Sequence, residues 1–442
     1  MNALAPGSEL ERRTLAKVKR YLLTYIIVGQ VFVQLDRTNI GFAQLTMSKE
    51  LAVTATVFGF ASGIFALAAF FMQLPAGLLF EKLGARRWLT SIMIGWGLIV
   101  IAQGFVTNQL QLVVLRFLLG AFEAGFVPGV YVLISLWFRG NNHGVAISGL
   151  QIGAATAGIL GAPFAGWVLG HSLLGFSGWR TLFLLEGGLT VLWALLALRI
   201  LYDTPSKSSW LRDDEREYIN RYLAEYQAQK LKSGAIDKAS LWQTLKDSRI
   251  VTLILAYTCA GWISATFAFF LPSLLKTAGK GLDNQSVGFL AMGPYLVMAV
   301  VAFTWGKHAD RTERHWHCVL PILVSALGIV LFPIARTPLL AMGCLALVQA
   351  GNTGFFVNFW PTCNLIVGKQ TISKSTALIN SGTQAGSLVA PIFFGWALDF
   401  TGNTNLGLYV CVGVLLLNFV IMNVFFFRYK AQLARQVVVP AV

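Results

Sequence analysis

Asp36 and Arg37 lie side by side in the apolar run 33–43, and Arg116 and Glu123 lie seven residues apart in a second run, 115–126. Ionised side chains at membrane depth cost roughly 2.5–3.5 kcal/mol each on insertion scales; they persist where they line a water-filled cavity, pair with one another or handle a charged solute. Seven residues make about two helical turns, so Arg116 and Glu123 share a helical face. Adjacent residues are about 100° apart on a helix, so Asp36 and Arg37 face different ways. The economical arrangement sets Asp36 near Arg116 and turns Arg37 to a cavity. A guanidinium is permanently charged and grips a carboxylate through two parallel hydrogen bonds, which makes Arg37 the leading ligand for a carboxylate-bearing solute. Asp36 and Glu123 can take up and release protons. Burial raises a carboxyl pKa and a nearby arginine lowers it, so conformation can tune such groups. Arg116 is expected to tune Asp36 in this way. The alternative is that all four residues form ion pairs that brace two helices.

The second half of the chain has no matching interior charge. It carries amides and hydroxyls instead: Asn352, Asn358 and Thr362 in one apolar stretch, Asn380, Ser381 and Gln384 in the next. Aligning Gly125-Phe126 with Gly354-Phe355 sets Asn352 opposite Glu123. Neutral hydrogen-bonding groups facing a charged half suit a polyfunctional anion, with one end on arginine and the rest on amides. Asn380 is the first candidate contact, followed by Asn358, Asn352 and Gln384, although such groups also join membrane helices. Trp360 and Tyr295 are the aromatic candidates. Glu186 is expected to cap or pair near a helix end. Gly149, Gly153, Gly158, Gly161 and Gly166 should let helices approach closely. No cysteine or histidine spacing suits a metal, and no cofactor is expected.

These groups need a scaffold that holds them in a membrane. Of the 442 residues, 56% are hydrophobic and 12% charged, against about 25% charged in a soluble domain. Long continuous apolar runs indicate helices and not a barrel. Twelve spans are expected at 21–45, 56–80, 88–107, 110–137, 144–170, 179–201, 250–276, 286–306, 317–335, 338–361, 374–398 and 405–427. The expected organisation is a segment 1–20, a six-helix bundle 21–202, a central loop 203–249 with a short amphipathic helix near Trp210–Tyr218, a second six-helix bundle 250–427, and a tail 428–442. The net charge of +15 sits in the short hydrophilic gaps. There it sets orientation, with both termini and the central loop cytoplasmic, and it does not indicate a nucleic-acid partner. A monomer in a bacterial inner membrane is expected.

The halves repeat. Gly77-x-x-x-Glu81-Lys82-x-Gly84-x-Arg86-Arg87 follows the second span, and Gly306-x-x-x-Asp310-Arg311-x-x-Arg314 follows the eighth. Ala162-Pro163-x-x-Gly166-Trp167 is echoed by Ala390-Pro391-x-x-x-Gly395-Trp396. A twofold repeat with a six-span period is what a carrier built of two related bundles shows.

The Gly-x-x-x-acid-base stretch resembles the signature of the major facilitator superfamily. The resemblance implies an all-α membrane protein of twelve helices in two pseudo-symmetric six-helix bundles. The paired acid and base residues imply a conformational latch: Gly77, Glu81, Lys82 and Arg86 in one half, Gly306, Asp310, Arg311 and Arg314 in the other. A narrower resemblance, to the anion:cation symporter family of that superfamily, rests on five motifs. They are Asp36-Arg37-x-Asn39-Ile40-Gly41-Phe42-Ala43; Arg116-Phe117-Leu118-Leu119-Gly120-x-x-Glu123-Ala124-Gly125-Phe126-x-Pro128-Gly129; Gly178-Trp179-Arg180-x-Leu182-Phe183-Leu184-x-Glu186-Gly187; Asp310-Arg311-Thr312-Glu313-Arg314-His315-Trp316-His317; and Ala377-Leu378-Ile379-Asn380-Ser381. This resemblance implies proton-coupled uptake of an organic carboxylate. Sodium coupling and anion exchange are the alternatives, with a transporter-like sensor behind them. Members that carry sugar acids often have a tyrosine where this chain has Ala69, and an acid where it has Gln73. The missing hydroxyl points to a less hydroxylated or more aromatic substrate. No nucleophile-base pair or nucleotide-binding motif suggests an enzyme or a pump.

Overall fold

The computed structural model describes residues 9–138, 141–173, 175–232, 241–279, 281–309, 314–366 and 372–437. Its helices in the first half are α1 Glu9–Val18, α2 Thr24–Glu50, α3 Ala55–Gln103, α4 Gln109–Glu123, α5 Phe126–Trp137, α6 Asn141–Leu169 and α7 Gly178–Ile200. The central segment holds α8 Asp213–Lys232 and α9 Leu241–Lys246. The second half holds α10 Ser248–Ala278, α11 Asn284–Ala309, α12 Arg314–Leu331, α13 Pro338–Ile366, α14 Ile372–Thr401 and α15 Asn405–Val437.

Ten stretches among the described residues are long and apolar enough to cross a membrane. Helices α2 and α14 are not among them. Helix α2 carries Asp36, Arg37, Lys49 and Glu50, and α14 carries Asn380, Ser381, Thr383, Gln384 and Ser387. Polar faces of this kind need shelter from lipid. Helix α2 packs on α6, α7 and α10, and α14 on α3 and α10. These two more polar spans therefore stand where the two halves meet, and with them the described residues form twelve spans in two bundles of six.

The spans read at 56–80 and 88–107 are two helices that run on within α3 and meet at Gly84, whose φ of 76° and ψ of 167° are not helical. An L side chain rarely adopts that φ, and a Cβ there would lie 2.7 Å from Asp203 Oδ1. The same Asp203 oxygen accepts a hydrogen bond from the Arg86 main-chain N–H at 3.0 Å. In the first half the signature is thus helical from Gly77 up to Gly84 and not a loop. The span read at 110–137 is two helices, with α4 ending at Glu123.

Three helix pairs join the bundles: α3 with α14, α6 with α11, and α2 with α10. The first two are exchanged by the six-span repeat. A Cβ at Gly41 of α2 would come within 2.5 Å of the Phe269 carbonyl oxygen of α10, so only glycine permits that approach. Gly166 of α6 meets Gly288 of α11 in the same manner. At the end away from the central segment, Asp399 of α14 caps the start of α3. It accepts hydrogen bonds from Ala55 N at 3.1 Å, Thr56 N at 2.7 Å and Thr56 Oγ1 at 2.6 Å. Ser273 Oγ donates to Gln44 Oε1 at 3.0 Å on the same side.

Asp399→Ala should loosen this closure. Charge-assisted hydrogen bonds contribute about 1.5–3 kcal/mol each, so their loss should enlarge an open population at least tenfold. Spin labels on the α2–α3 and α14–α15 connections should reveal a second, longer distance in the variant. An unchanged distance distribution would remove Asp399 as the fastener.

The central segment is docked on the first bundle. Trp210 stacks on Tyr21 and Trp137, with centroids 4.8 and 5.4 Å apart. The fully buried Glu215 carboxylate receives Arg13 Nε and Lys17 Nζ of α1, each at 2.8 Å, and the Arg212 main-chain N–H at 2.9 Å. Burial works against its charge, but the Arg212 hydrogen bond and the Lys17 and Arg13 cations outweigh it and hold the carboxyl below its usual range. A depressed carboxyl contributes stability that is complete above its unfolded value, about pH 4.3, and is lost as pH falls through the folded value. Hydrogen exchange of α1, corrected for its intrinsic rate, should be flat from about pH 5 to 8 and accelerate below about pH 4. Glu215→Gln should show fast exchange already at neutral pH. Equal protection in both proteins at neutral pH would contradict the assignment.

Candidate functional site

Four buried charges collect inside the first bundle. Asp36, Arg116, Glu123 and Glu186 are 3%, 0%, 1% and 1% exposed. Helix α2 supplies two faces. Asp36 and Asn39, three residues apart, turn into the bundle, and the Asn39 amide donates to Glu186 Oε1. Arg37 turns instead toward the second bundle. Its Nε donates to Glu123 Oε1, and its side chain is 36% exposed.

Arg116 lies against α2 through its Nη1, which donates to the main-chain oxygen of Asp36 at 3.3 Å. It meets the backbone of Asp36 and not its carboxylate, which lies beside the Trp96 indole. Asp36 lies within electrostatic reach of Arg116, Glu123 and Glu186. Phe65 of α3 is wedged between the two guanidinium groups, its ring centroid 5.5 Å from Arg37 and 5.0 Å from Arg116. Phe269 of α10 closes over Arg116 at 6.0 Å. Glu186 sits more than two turns into α7 and faces Asn39, so it belongs to the bundle interior and does not cap a helix end.

Arg37 opens on a cavity of about 160 Å³ between the bundles. Its polar wall comes from four helices: Gln34 and Arg37 of α2, Ser62 of α3, Ser264 of α10, and Gln384 and Ser387 of α14. The cavity is well below the roughly 300–1,000 Å³ of sites that hold drug-sized ligands.

Of the expected contacts in the second half, Gln384 lines this cavity. Asn380 is exposed one turn before it on the same face of α14. Asn358 is buried and donates to Gly354 O of its own helix at 3.0 Å. Asn352 is half-buried in α13. Trp360 Nε1 donates to the Tyr257 hydroxyl at 3.0 Å, inside an aromatic cluster with Phe359. Tyr295 is buried at the α6–α11 contact, its ring against Gly158.

Ser62, Ser264, Ser387, Gln34 and Asn39 were missed. For Asn39 and Ser387 a signal existed: each stands three residues beyond a candidate, Asp36 or Gln384, on the same helical face.

The latch residues are spread differently. Arg86 donates from its guanidinium to Leu198 O and lies 5.2 Å from the Tyr202 ring centroid, so its partners belong to its own half. Lys82 is exposed, and a Cβ at Gly77 would meet open space. Gly306 lies against Val357 of α13. Asp310 and Arg311 lie outside the described residues, as do the side chains of Glu81 and Arg314.

The sequence profile of the Major Facilitator Superfamily matches residues 26–371 and 253–441. A protein of Agrobacterium vitis named "Putative tartrate transporter" is 33% identical over 419 residues, covering 94% of this chain and 95% of its own. A "Quinolone resistance transporter" of Acinetobacter baumannii is 28% identical over 426 residues, covering 96% and 97%. The crystal structure of a bacterial homolog to the human lysosomal transporter Spinster, inward-facing and unoccupied, superposes with a TM-score of 0.73. It is 14% identical and covers 96% of this chain and 99% of its own, a likeness of fold.

Proposed function

Since this chain belongs to the major facilitator superfamily, and is therefore a multi-pass transporter and not an enzyme, we propose that it imports a small organic anion together with protons. The observation that carries this reading is the Arg37–Glu123 bond at the edge of the central cavity. The guanidinium suited to a substrate carboxylate is held by an internal carboxylate. When Glu123 takes a proton, Arg37 is released to the substrate. When the substrate leaves, Arg37 returns and the proton is expelled. Such linkage is reciprocal: protonation strengthens anion binding by the factor by which the anion strengthens protonation. Asp36, buried beside Arg116 and Glu186, is the second proton site of this scheme. Gln384 and, one turn away, Asn380 contact the remainder of the anion. The tartrate name of the Agrobacterium relative supports an organic anion as cargo.

In this reading residues 21–202 and 250–427 rock about the site. Both termini and the central segment lie in the cytoplasm of a bacterial inner membrane, and the monomer is the working unit. The closure at Asp399 then faces outward, so the cavity belongs to an inward-opening state. The latch residues around Glu81 and Asp310 would engage across the bundles in the opposite state.

Uptake of labelled organic acids into proteoliposomes tests the proposal. An inward proton gradient should drive accumulation above the external concentration. Accumulation driven by sodium or by a counter-anion, and indifferent to the proton gradient, would replace it with one of those couplings.

A further inference from the structure

Ser62 is 1% exposed, and its hydroxyl has no hydrogen-bond partner although it borders the cavity that Arg37 enters. Helical hydroxyls commonly satisfy themselves on the carbonyl one turn earlier. Thr38, Ser148, Thr190, Thr258 and Thr266 of this molecule all do so, at 2.8–3.0 Å. Ser62 does not. A buried hydroxyl left unpaired costs free energy, and on a cavity wall a water or a ligand can complete it. Two further hydroxyls line the same space from the second bundle, Ser264 of α10 and Ser387 of α14. Hydroxyls thus line the cavity from both bundles, and the guanidinium supplies its positive charge.

We infer that Ser62 is a specificity-determining residue: its hydroxyl, with Ser264 and Ser387, pairs with hydroxyl groups of a small hydroxycarboxylate whose carboxylate sits on Arg37. This inference rests on the organic-anion reading above and names the substrate class within it. It departs from the expectation of a less hydroxylated cargo. That expectation weighed Ala69, which is buried outside the cavity wall, whereas Ser62 stands on that wall two turns earlier in α3. A site built to hydrogen-bond a substrate hydroxyl also rejects the analogue that lacks it, because its own polar groups then stay unpaired. Since the three serines come from both bundles, a hydroxylated anion would also draw the bundles together around itself.

The test is a binding series by titration calorimetry on the purified full-length chain with tartrate, malate and succinate, which lose one hydroxyl at each step. The wild-type protein should prefer each acid to the next by about tenfold, the usual scale for one hydrogen bond to a buried polar group. Ser62→Ala should reduce one of these steps to threefold or less and leave succinate affinity within about threefold of wild type. Ser62→Thr, which keeps the hydroxyl, should restore the step. An unchanged preference in Ser62→Ala overturns the inference and leaves the carrier reading standing. An equal loss for all three acids also overturns it, because the hydroxyl then only supports the cavity wall. Failure of the wild type to bind any hydroxy acid, with binding of other carboxylates that Arg37→Lys abolishes, rejects the substrate class alone. Failure to bind any carboxylate rejects the carrier reading with it.

Discussion

The Glu123→Gln protein is expected to exchange substrate across a membrane and to fail at accumulating it. Glutamine has the shape of the protonated acid and cannot give the proton up. In the wild type, Arg37 alternates between Glu123 and the anion, and the proton pays for the exchange. In the variant, Arg37 has lost its charged competitor, so anion binding should tighten and lose the part of its pH dependence that Glu123 supplies. Counterflow, which needs no net proton movement, should proceed at a rate within about threefold of wild type. Uptake driven by an inward proton gradient should stop at the external concentration, whereas the wild-type carrier can gain about tenfold accumulation per pH unit for each proton it couples. Both measurements belong in the same proteoliposomes. If Glu123→Gln accumulates substrate as the wild type does, the Arg37–Glu123 bond is a brace between α2 and α4. The search for the coupling group then moves to Asp36 and to sodium.

Arg37→Lys should weaken substrate binding by about ten- to a hundredfold while the protein stays folded. A lysine keeps the positive charge and the attraction to Glu123, so the buried acid is not stranded. It loses the planar fork that offers two parallel N–H groups to one carboxylate. One lost hydrogen bond to a charged group is worth about 1.5–3 kcal/mol, which is the stated range in Kd. Calorimetric titration with a bound organic acid, beside a thermal unfolding scan, separates weakened binding from misfolding. A Kd within threefold of wild type would exclude Arg37 as the carboxylate ligand.

Together the two variants separate the roles in the scheme. Glu123→Gln tests whether an internal acid competes for the guanidinium, and Arg37→Lys tests whether the guanidinium is what the substrate needs. A structural ion pair would make both variants less stable and would change neither the pH dependence of binding nor the ratio of exchange to accumulation.

Hydropathy and the cost of placing charge in hydrocarbon are properties of local sequence. They are enough to read twelve membrane helices, two repeated halves and an interior whose charges all belong to the first half. The same reasoning set Arg37 and Asp36 on different faces of one helix, because a step of about 100° per residue is the same in every helix. It could not say which acid Arg37 meets, or that Arg116 would bond the main chain of Asp36 and not its carboxylate. Nor could it tell that Gln384 reaches the cavity while Tyr295 fills a helix contact, or that Ser62 faces Arg37 at all. Each of those facts depends on how far every helix is rotated about its own axis and how closely it approaches its neighbours. Close packing of residues distant in the chain sets that rotation: Gly41 against the Phe269 carbonyl, Phe65 between two arginines, Asp399 on the first turn of α3. A rotation of one residue's worth would hand the cavity a different set of side chains, and only the tertiary contacts select among those rotations.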